Sequence, residues 1–180
     1  MPRLNQRLGL TRYEADEAYK QALDFYKKGD LDNAEDQLGK AIDALPGNSE
    51  YYAARGLLFL EDAEYEQAEA DFVEALRLFP YEMLAHYGRG AIAYKRKKWD
   101  EALEHFTKAY HAKTDRPETL YYLALTHYQR GEYASAAERM FAANELFEKA
   151  NDKRKADSGR WLKELAKHRL PTQKSLLEGG

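Results

Sequence analysis

The chain has no cysteine, so disulfides and thiolate nucleophiles are excluded, and the expected setting is a reducing, cytoplasmic one. No apolar run approaches the roughly 18 residues a membrane-spanning helix needs. Met1-Pro2-Arg3 opens onto no apolar signal region, so no membrane insertion is expected. A net charge of −3 supplies no excess of either sign that would drive the chain onto nucleic acid. Motifs for chemistry are missing too: there is no glycine-rich phosphate loop, no nucleophile elbow and no Asp/Asn-rich calcium loop. Among His86, His105, His111, His127 and His168 no two are spaced to grip a metal from one helix face. With no residue left for a catalytic group, metal or cofactor to rest on, the sequence predicts a non-enzyme.

What it does contain is a repeat. Shifted by 34 residues, small side chains fall on small side chains: Ala22, Gly56, Gly90 and Ala124; Ala34, Ala68, Ala102 and Ala136; Ala41, Ala75, Ala109 and Ala143. Bulky residues recur in step at Leu38, Phe72, Phe106 and Met140, and again at Leu31, Tyr65, Trp99 and Tyr133. Four units (15–48, 49–82, 83–116 and 117–150) follow one another without an insertion. A fixed period of this length marks a solenoid. A length of 180 residues suits one domain, and 44% hydrophobic content can supply its core.

Each unit reads as two helices. Ala18, Ala22, Phe25 and Tyr26 follow i, i+4, i+7, i+8; after Gly29-Asp30, the run Leu31, Ala34, Leu38, Ala41, Ile42, Leu45 keeps one apolar stripe until Pro46. Alanine and glycine stand where two helices must approach closely, with bulky residues filling the space beside them. The pattern resembles the tetratricopeptide repeat family: the small Ala22/Gly56/Gly90/Ala124, the pairs Ala34–Leu38 and Ala68–Phe72, and the closing Pro46 and Pro80 all match. That resemblance covers 12–150 and implies an all-α, right-handed solenoid of antiparallel helix pairs, with a concave face lined by each unit's first helix.

Local signals refine the boundaries. Residues 1–11 form a lead-in whose Leu4, Leu8 and Leu10 could dock on the first helix or on a neighbour. Thr11, with Glu14 three residues on, predicts an N-cap and capping box. Asn48 or Ser49 caps unit 2, and Asp115 with Pro117 and Glu118 opens unit 4. Gly29 and Gly131 suit a left-handed turn between helices; Ala63 and Lys97 occupy the same slots, so those turns are expected to be strained or shaped differently. Beyond unit 4, where Glu148 replaces the closing proline, residues 151–170 read as a capping helix with Ser158, Trp161, Leu162 and Leu165 on one side. Seven Lys/Arg on its other side suit solvent. Trp161 is the expected plug, Pro171 stops the helix, and 171–180 is expected to be a disordered tail.

Charges are arranged unevenly. Residues 1–90 hold 10 Lys/Arg against 18 Asp/Glu, while 91–180 hold 18 against 13, a dipolar surface suited to head-to-tail contact or to an oriented partner. Arg55 and Arg89 take slots that usually face a neighbouring helix, and a half-buried arginine needs a partner, so Asp71 is expected beside one or both as a structural ion pair. The acidic turn Glu61-Asp62-Ala63-Glu64 and the basic turn Lys95-Arg96-Lys97-Lys98 fall at equivalent slots and are expected to neutralise each other. His86 and His127 fall on core-facing slots.

The family's geometry directs the functional expectation to the inward slots of the first helices. These carry Tyr19, Leu23 and Tyr26; Ala53, Leu57 and Leu60; Leu84, Tyr87, Ala91 and Tyr94; and Tyr121, Tyr122, Leu125 and Tyr128. Tyrosine offers area, a hydroxyl and low entropy cost, which suits peptide recognition, although Tyr26, Tyr94 and Tyr128 match slots often aromatic for packing alone. Gly88 would open the face to a ligand backbone. Family members that hold acidic chaperone tails use a carboxylate clamp of Lys, Asn and Arg; the matching slots here hold Tyr19, Leu23, Ala54, Leu84 and Gly88, so the clamp is absent. The sequence therefore predicts an adaptor or chaperone-like module for a protein or peptide with an apolar or amphipathic segment. A self-assembling scaffold, and hence a homo-oligomer, is the alternative. An RNA-binding or catalytic protein, resting on Lys95–Lys98 and scattered histidines, is the distant third.

Overall fold

Every segment read as helical from the 34-residue pattern is helical in the computed structural model, which describes residues 9–168. The described residues form nine α-helices and no strand: α1 (Leu10–Lys27), α2 (Leu31–Ala44), α3 (Ser49–Glu61), α4 (Tyr65–Leu78), α5 (Met83–Lys95), α6 (Trp99–Ala112), α7 (Pro117–Gln129), α8 (Tyr133–Lys149) and α9 (Lys155–Ala166). The chain is an all-α helical repeat. Leu4, Leu8, Pro171 and the 171–180 tail lie outside the described residues, as does the side chain of Leu10.

One turn geometry joins the helices of each pair. The amide of Asp30 donates to the Phe25 carbonyl at 3.0 Å, and that of Gly29 to Tyr26 at 2.9 Å, a Schellman arrangement that satisfies carbonyls otherwise orphaned at the helix end. The same six-residue closure recurs from Glu64 to Phe59, Lys98 to Ala93, Glu132 to His127 and, after α8, Asp152 to Phe147. The residue it drives into the left-handed region is Gly29 (φ 76), Ala63 (φ 61), Lys97 (φ 59), Gly131 (φ 77) and Asn151 (φ 49). Ala63 and Lys97 therefore do not reshape their turns; they adopt the glycine conformation and bear its strain.

Helix starts follow local chemistry in part. Asp30 accepts from the Asn33 amide and Asn48 from that of Glu50, each satisfying an orphan donor. Thr11 is not a cap, because α1 already begins at Leu10 behind a left-handed Gly9. Nor is Asp115: Pro117 takes the first helical position, and the residue before a proline is held extended, which makes Arg116 the N-cap. Pro46 and Pro80 follow their helices, whereas Glu148 lies inside α8, which has 17 residues against 14 in α2.

Contacts divide the chain into two compact units, with the boundary between Ile92 and Ala93 inside α5. In the first, α1 packs on α2, α2 on α3 and α3 on α4. Ala34, Ala41, Ala68 and Ala75 are fully buried, and Leu38 and Phe72 nearly or fully so; methyl-sized contacts let the helices close in while the larger side chains fill the space between them. Phe72 is the clearest case. A Cβ on Gly56 would come within 2.6 Å of its ring, and one on Gly88 would run into the ring itself. Burying such an aromatic contributes about 1.5–3 kcal/mol, and the two glycines, one on α3 and one on α5, make room for it.

In the second unit α6 packs on α7, α7 on α8 and α8 on α9. Ala124, Leu125, Ala136, Met140 and Leu165 form one cluster there, and Leu120, Ala143 and Phe147 another. The terminal helix starts at Lys155 rather than at the start of 151–170, and its buried residues are Ser158 and Leu165. Trp161 is half-buried and packs at the edge of the cluster with Leu162, so Leu165, not Trp161, is the deeply inserted apolar side chain. The hydroxyl of Ser158 donates to Asn144 Oδ1 at 2.8 Å, and Arg154 reaches Glu118 at 2.8 Å, tying the start of α9 to α7.

Candidate functional site

On α1 the spacing of Tyr19, Leu23 and Tyr26 puts all three on one stripe. The Tyr19 hydroxyl donates to Glu50 Oε1 at 2.9 Å and that of Tyr26 to Glu61 Oε1 at 2.6 Å. Both acceptors belong to α3, whose stripe Glu50, Ala54, Leu57, Glu61 therefore lies alongside. The result is a strip with a Tyr–Glu pair at each end and Leu23, Ala54 and Leu57 between them. Leu23 and Tyr26 are 40% and 43% exposed, high values for large apolar side chains. A third hydroxyl, from the buried Tyr51, donates to Asp16 at 2.9 Å in the opposite direction, and its ring tilts against Tyr19 at 5.1 Å.

These bonds set the electrostatics. Glu61, accepting its hydrogen bond, and burial push the Tyr26 phenol up to about 12. Burial first, then Glu50, raises Tyr19 further; burial and Asp16 raise Tyr51. Each phenol stays a neutral donor, because ionising it would set a phenolate against a carboxylate.

The other inward slots are used differently. Leu57, Leu60 and Leu84 pack half-buried against the cluster that contains Phe72, and Tyr87 is half-buried. Gly88 gives no opening for a ligand: its missing Cβ is the space taken by Phe72. Leu125, 8% exposed, belongs to the core beside Met140. Tyrosines of the second unit build an aromatic chain. Tyr94 meets Trp99 at 5.1 Å and Tyr122 at 5.8 Å, and Tyr122 stacks on Phe106 at 5.4 Å. Tyr121 sets its edge against Tyr122 and Phe147, and its hydroxyl donates to Asp157 on α9. Tyr128 packs on Tyr133 and, at 5.0 Å, on Trp161.

The acceptors Asp16, Glu50, Glu61 and Asp157 were not legible as part of the site from the sequence. The signal was present as a tyrosine on one first helix and an acid 31–36 residues away, the distance to the next helix of the same kind.

Away from the strip, Arg55 donates from Nε and Nη2 to the two carboxylate oxygens of buried Asp71, at 2.7 and 2.8 Å. This bidentate geometry holds the guanidinium charged, the bond to Asp71 outweighing burial. Arg89 does not share the carboxylate; its Nε is buried without a hydrogen-bond partner among the described residues. The slot 34 residues beyond Asp71 holds His105, which offers no carboxylate. His86 bonds the Pro80 carbonyl at 3.0 Å, and His127, half-buried, meets Glu132 at 2.5 Å. His105 is also buried, in the slot equivalent to that of buried Asp71. Among the described residues no three His, Asp or Glu side chains gather as metal ligands would, and no helix is long and apolar enough to cross a membrane.

Comparison with known proteins agrees with this architecture. Residues 19–82 and, overlapping, 53–117 match the family model described as a tetratricopeptide repeat, together more than half of the chain. Over 81 residues the chain is 35% identical to serine/threonine-protein phosphatase 5 of Mus musculus; the match covers 45% of this chain and 16% of that protein. Among solved structures, pilF of Pseudomonas aeruginosa superposes with a TM-score of 0.66 at 20% identity, covering 94% of this chain and 82% of that one. The first tetratricopeptide domain of Spaghetti (RPAP3), solved bound to the HSP90 peptide SRMEEVD, superposes with a TM-score of 0.60 at 22% identity, covering 66% and 94%. At these identities the likeness to the solved structures is one of fold. That fold is a scaffold for protein–protein interaction, in general non-catalytic.

Proposed function

The chain belongs to the tetratricopeptide repeat family, and from that premise we propose that it is a non-catalytic adaptor whose first-helix face holds an apolar or amphipathic segment of a partner protein. The observation that carries this reading is the exposure of Leu23 and Tyr26 on the α1–α3 strip, where two Tyr–Glu pairs fix the rim. Large apolar groups left in water on a rigid surface favour burial by a partner, and a tyrosine already ordered by a hydrogen bond loses little further entropy on binding. The partner class differs from the acidic tail seen with the RPAP3 domain. Here Tyr19, Leu23, Ala54, Leu84 and Gly88 stand in the slots of the Lys, Asn and Arg clamp, and the charged groups bonded at the rim are carboxylates, which would repel an acidic tail.

The test compares proteins retained from cell extract by the wild type and by a Leu23→Ser/Tyr26→Ala variant. Expected is the loss of specific partners from the variant while its circular dichroism stays unchanged. Identical capture by both proteins would overturn the reading. Capture should also persist at high salt, because apolar burial is not screened.

A further inference from the structure

We infer that the chain associates with itself head to tail, the outer face of α9 in one copy entering an open depression between α1 and α2 of the next. The depression, of about 410 Å³, is lined by Tyr13, Glu14, Glu17, Ala18, Lys40 and Ala44 among others, with no residue of α3. Tyr13 stands 69% exposed at its edge. Glu14 and Glu17 pair with no cation among the described residues, whereas Lys40 is occupied by Asp36 at 2.6 Å, so the uncompensated charge of this surface is negative.

The surface that fits it is on the same chain. With Ser158 and Leu165 buried, α9 turns Ala156, Arg160, Lys163 and Lys167 outward, a stripe at helical spacing that is small at one end and basic along its length. Among the described residues nothing lies within 4 Å of the place where a Cβ on Gly159 would stand, so a neighbouring backbone can come close. Asp157 and Glu164 face this stripe from the same helix: Arg160 bonds Asp157 and Lys167 bonds Glu164, leaving Lys163 the most available cation. Charge over the whole chain points the same way. Described residues 9–92 carry 8 Lys/Arg against 18 Asp/Glu, and 93–168 carry 16 against 12. A copy approaching with its basic unit toward the acidic unit of another is steered, and because the two surfaces differ, the contact is heterologous. This face is not the Tyr19–Leu23–Tyr26 stripe, so self-association and partner capture are separable.

Sedimentation of the full chain over a concentration series, at low and high salt, reads the outcome. The wild type should rise above its monomer mass of 20.8 kDa with concentration at low salt and return to it at roughly 0.5 M, where the Debye length falls to a few ångströms. Glu14→Lys/Glu17→Lys alone and Arg160→Glu/Lys163→Glu alone should each stay monomeric, and an equal mixture of the two should associate again. The Leu23→Ser/Tyr26→Ala variant should associate like the wild type. A wild type monomeric throughout, or an association that the reversals leave unchanged or that mixing does not restore, would overturn the inference. So would a result in which a foreign basic helix occupies the depression while the chain itself never does.

Discussion

Ala63 and Lys97 hold φ values of 61 and 59 in turns where Gly29 and Gly131 hold 76 and 77, and this sets up a four-way stability experiment. An L-residue in the left-handed region costs about 1–2 kcal/mol. Glycine avoids that cost but gives up about 0.5–1 kcal/mol of chain entropy on folding. The difference predicts that Ala63→Gly and Lys97→Gly each stabilise by ~0.5–1 kcal/mol. Gly29→Ala and Gly131→Ala should destabilise by a similar amount, and they isolate the backbone term, since an added Cβ at either site meets nothing within 4 Å. Sites 34 residues apart should combine additively. Ala63→Gly with Lys97→Gly then amounts to ~1–2 kcal/mol, or a rise in Tm of roughly 2–8 °C for a chain of this size. Urea midpoints followed by circular dichroism give the order of the wild type, the four single variants and the double variant. If Ala63→Gly destabilises while Gly131→Ala is neutral, the shared turn geometry is wrong.

Three further outcomes follow from the packing. Asp71→Ala leaves the half-buried Arg55 without its bidentate acceptor and should cost ~3 kcal/mol; a loss within ~0.5 kcal/mol, the range of ordinary surface sites, would show that solvent replaces the carboxylate freely. Leu165→Ala opens the cluster under α9 and should cost ~2–5 kcal/mol, more than Trp161→Ala if Leu165 is the deeper insertion; the reverse order in thermal melts would restore Trp161 as the plug. Tyr26, raised to about 12, lends stability that is fully present below the unfolded phenol's pKa near 10 and is lost as pH rises through 12. Melts between pH 9 and 12 should therefore fall less steeply for Tyr26→Phe than for the wild type, and equal slopes would remove the Glu61 bond from the account.

Elements defined by spacing within one helix were legible in the sequence. The alanine series reported the close helix approaches, and Gly29 and Gly131 reported left-handed turns, because both are fixed by the chain's own period. Features decided between helices were not legible. Gly88 sits on an inward slot, yet Phe72 of the preceding helix fills the space that slot would leave to a ligand. The hydroxyls of Tyr19, Tyr26 and Tyr121 read as donors available to a peptide, but each is already bonded to a carboxylate on another helix. Thr11 and Asp115 have the composition of caps, yet Gly9 and Pro117 set the helix starts instead. Leu125 has the same periodicity as Leu23, but α8 and α9 bury it, whereas nothing among the described residues covers Leu23 to the same degree.

The most direct measurement places a photo-crosslinking residue at position 23 or 57 on the first-helix strip and, separately, at position 73 or 141 on second helices. Val73 and Phe141 are 51% and 57% exposed, so they control for mere apolar exposure. With a captured partner present, crosslinks are predicted from 23 and 57 and not from 73 or 141. Crosslinks confined to 73 or 141 would contradict the assignment of partner binding to the first-helix face.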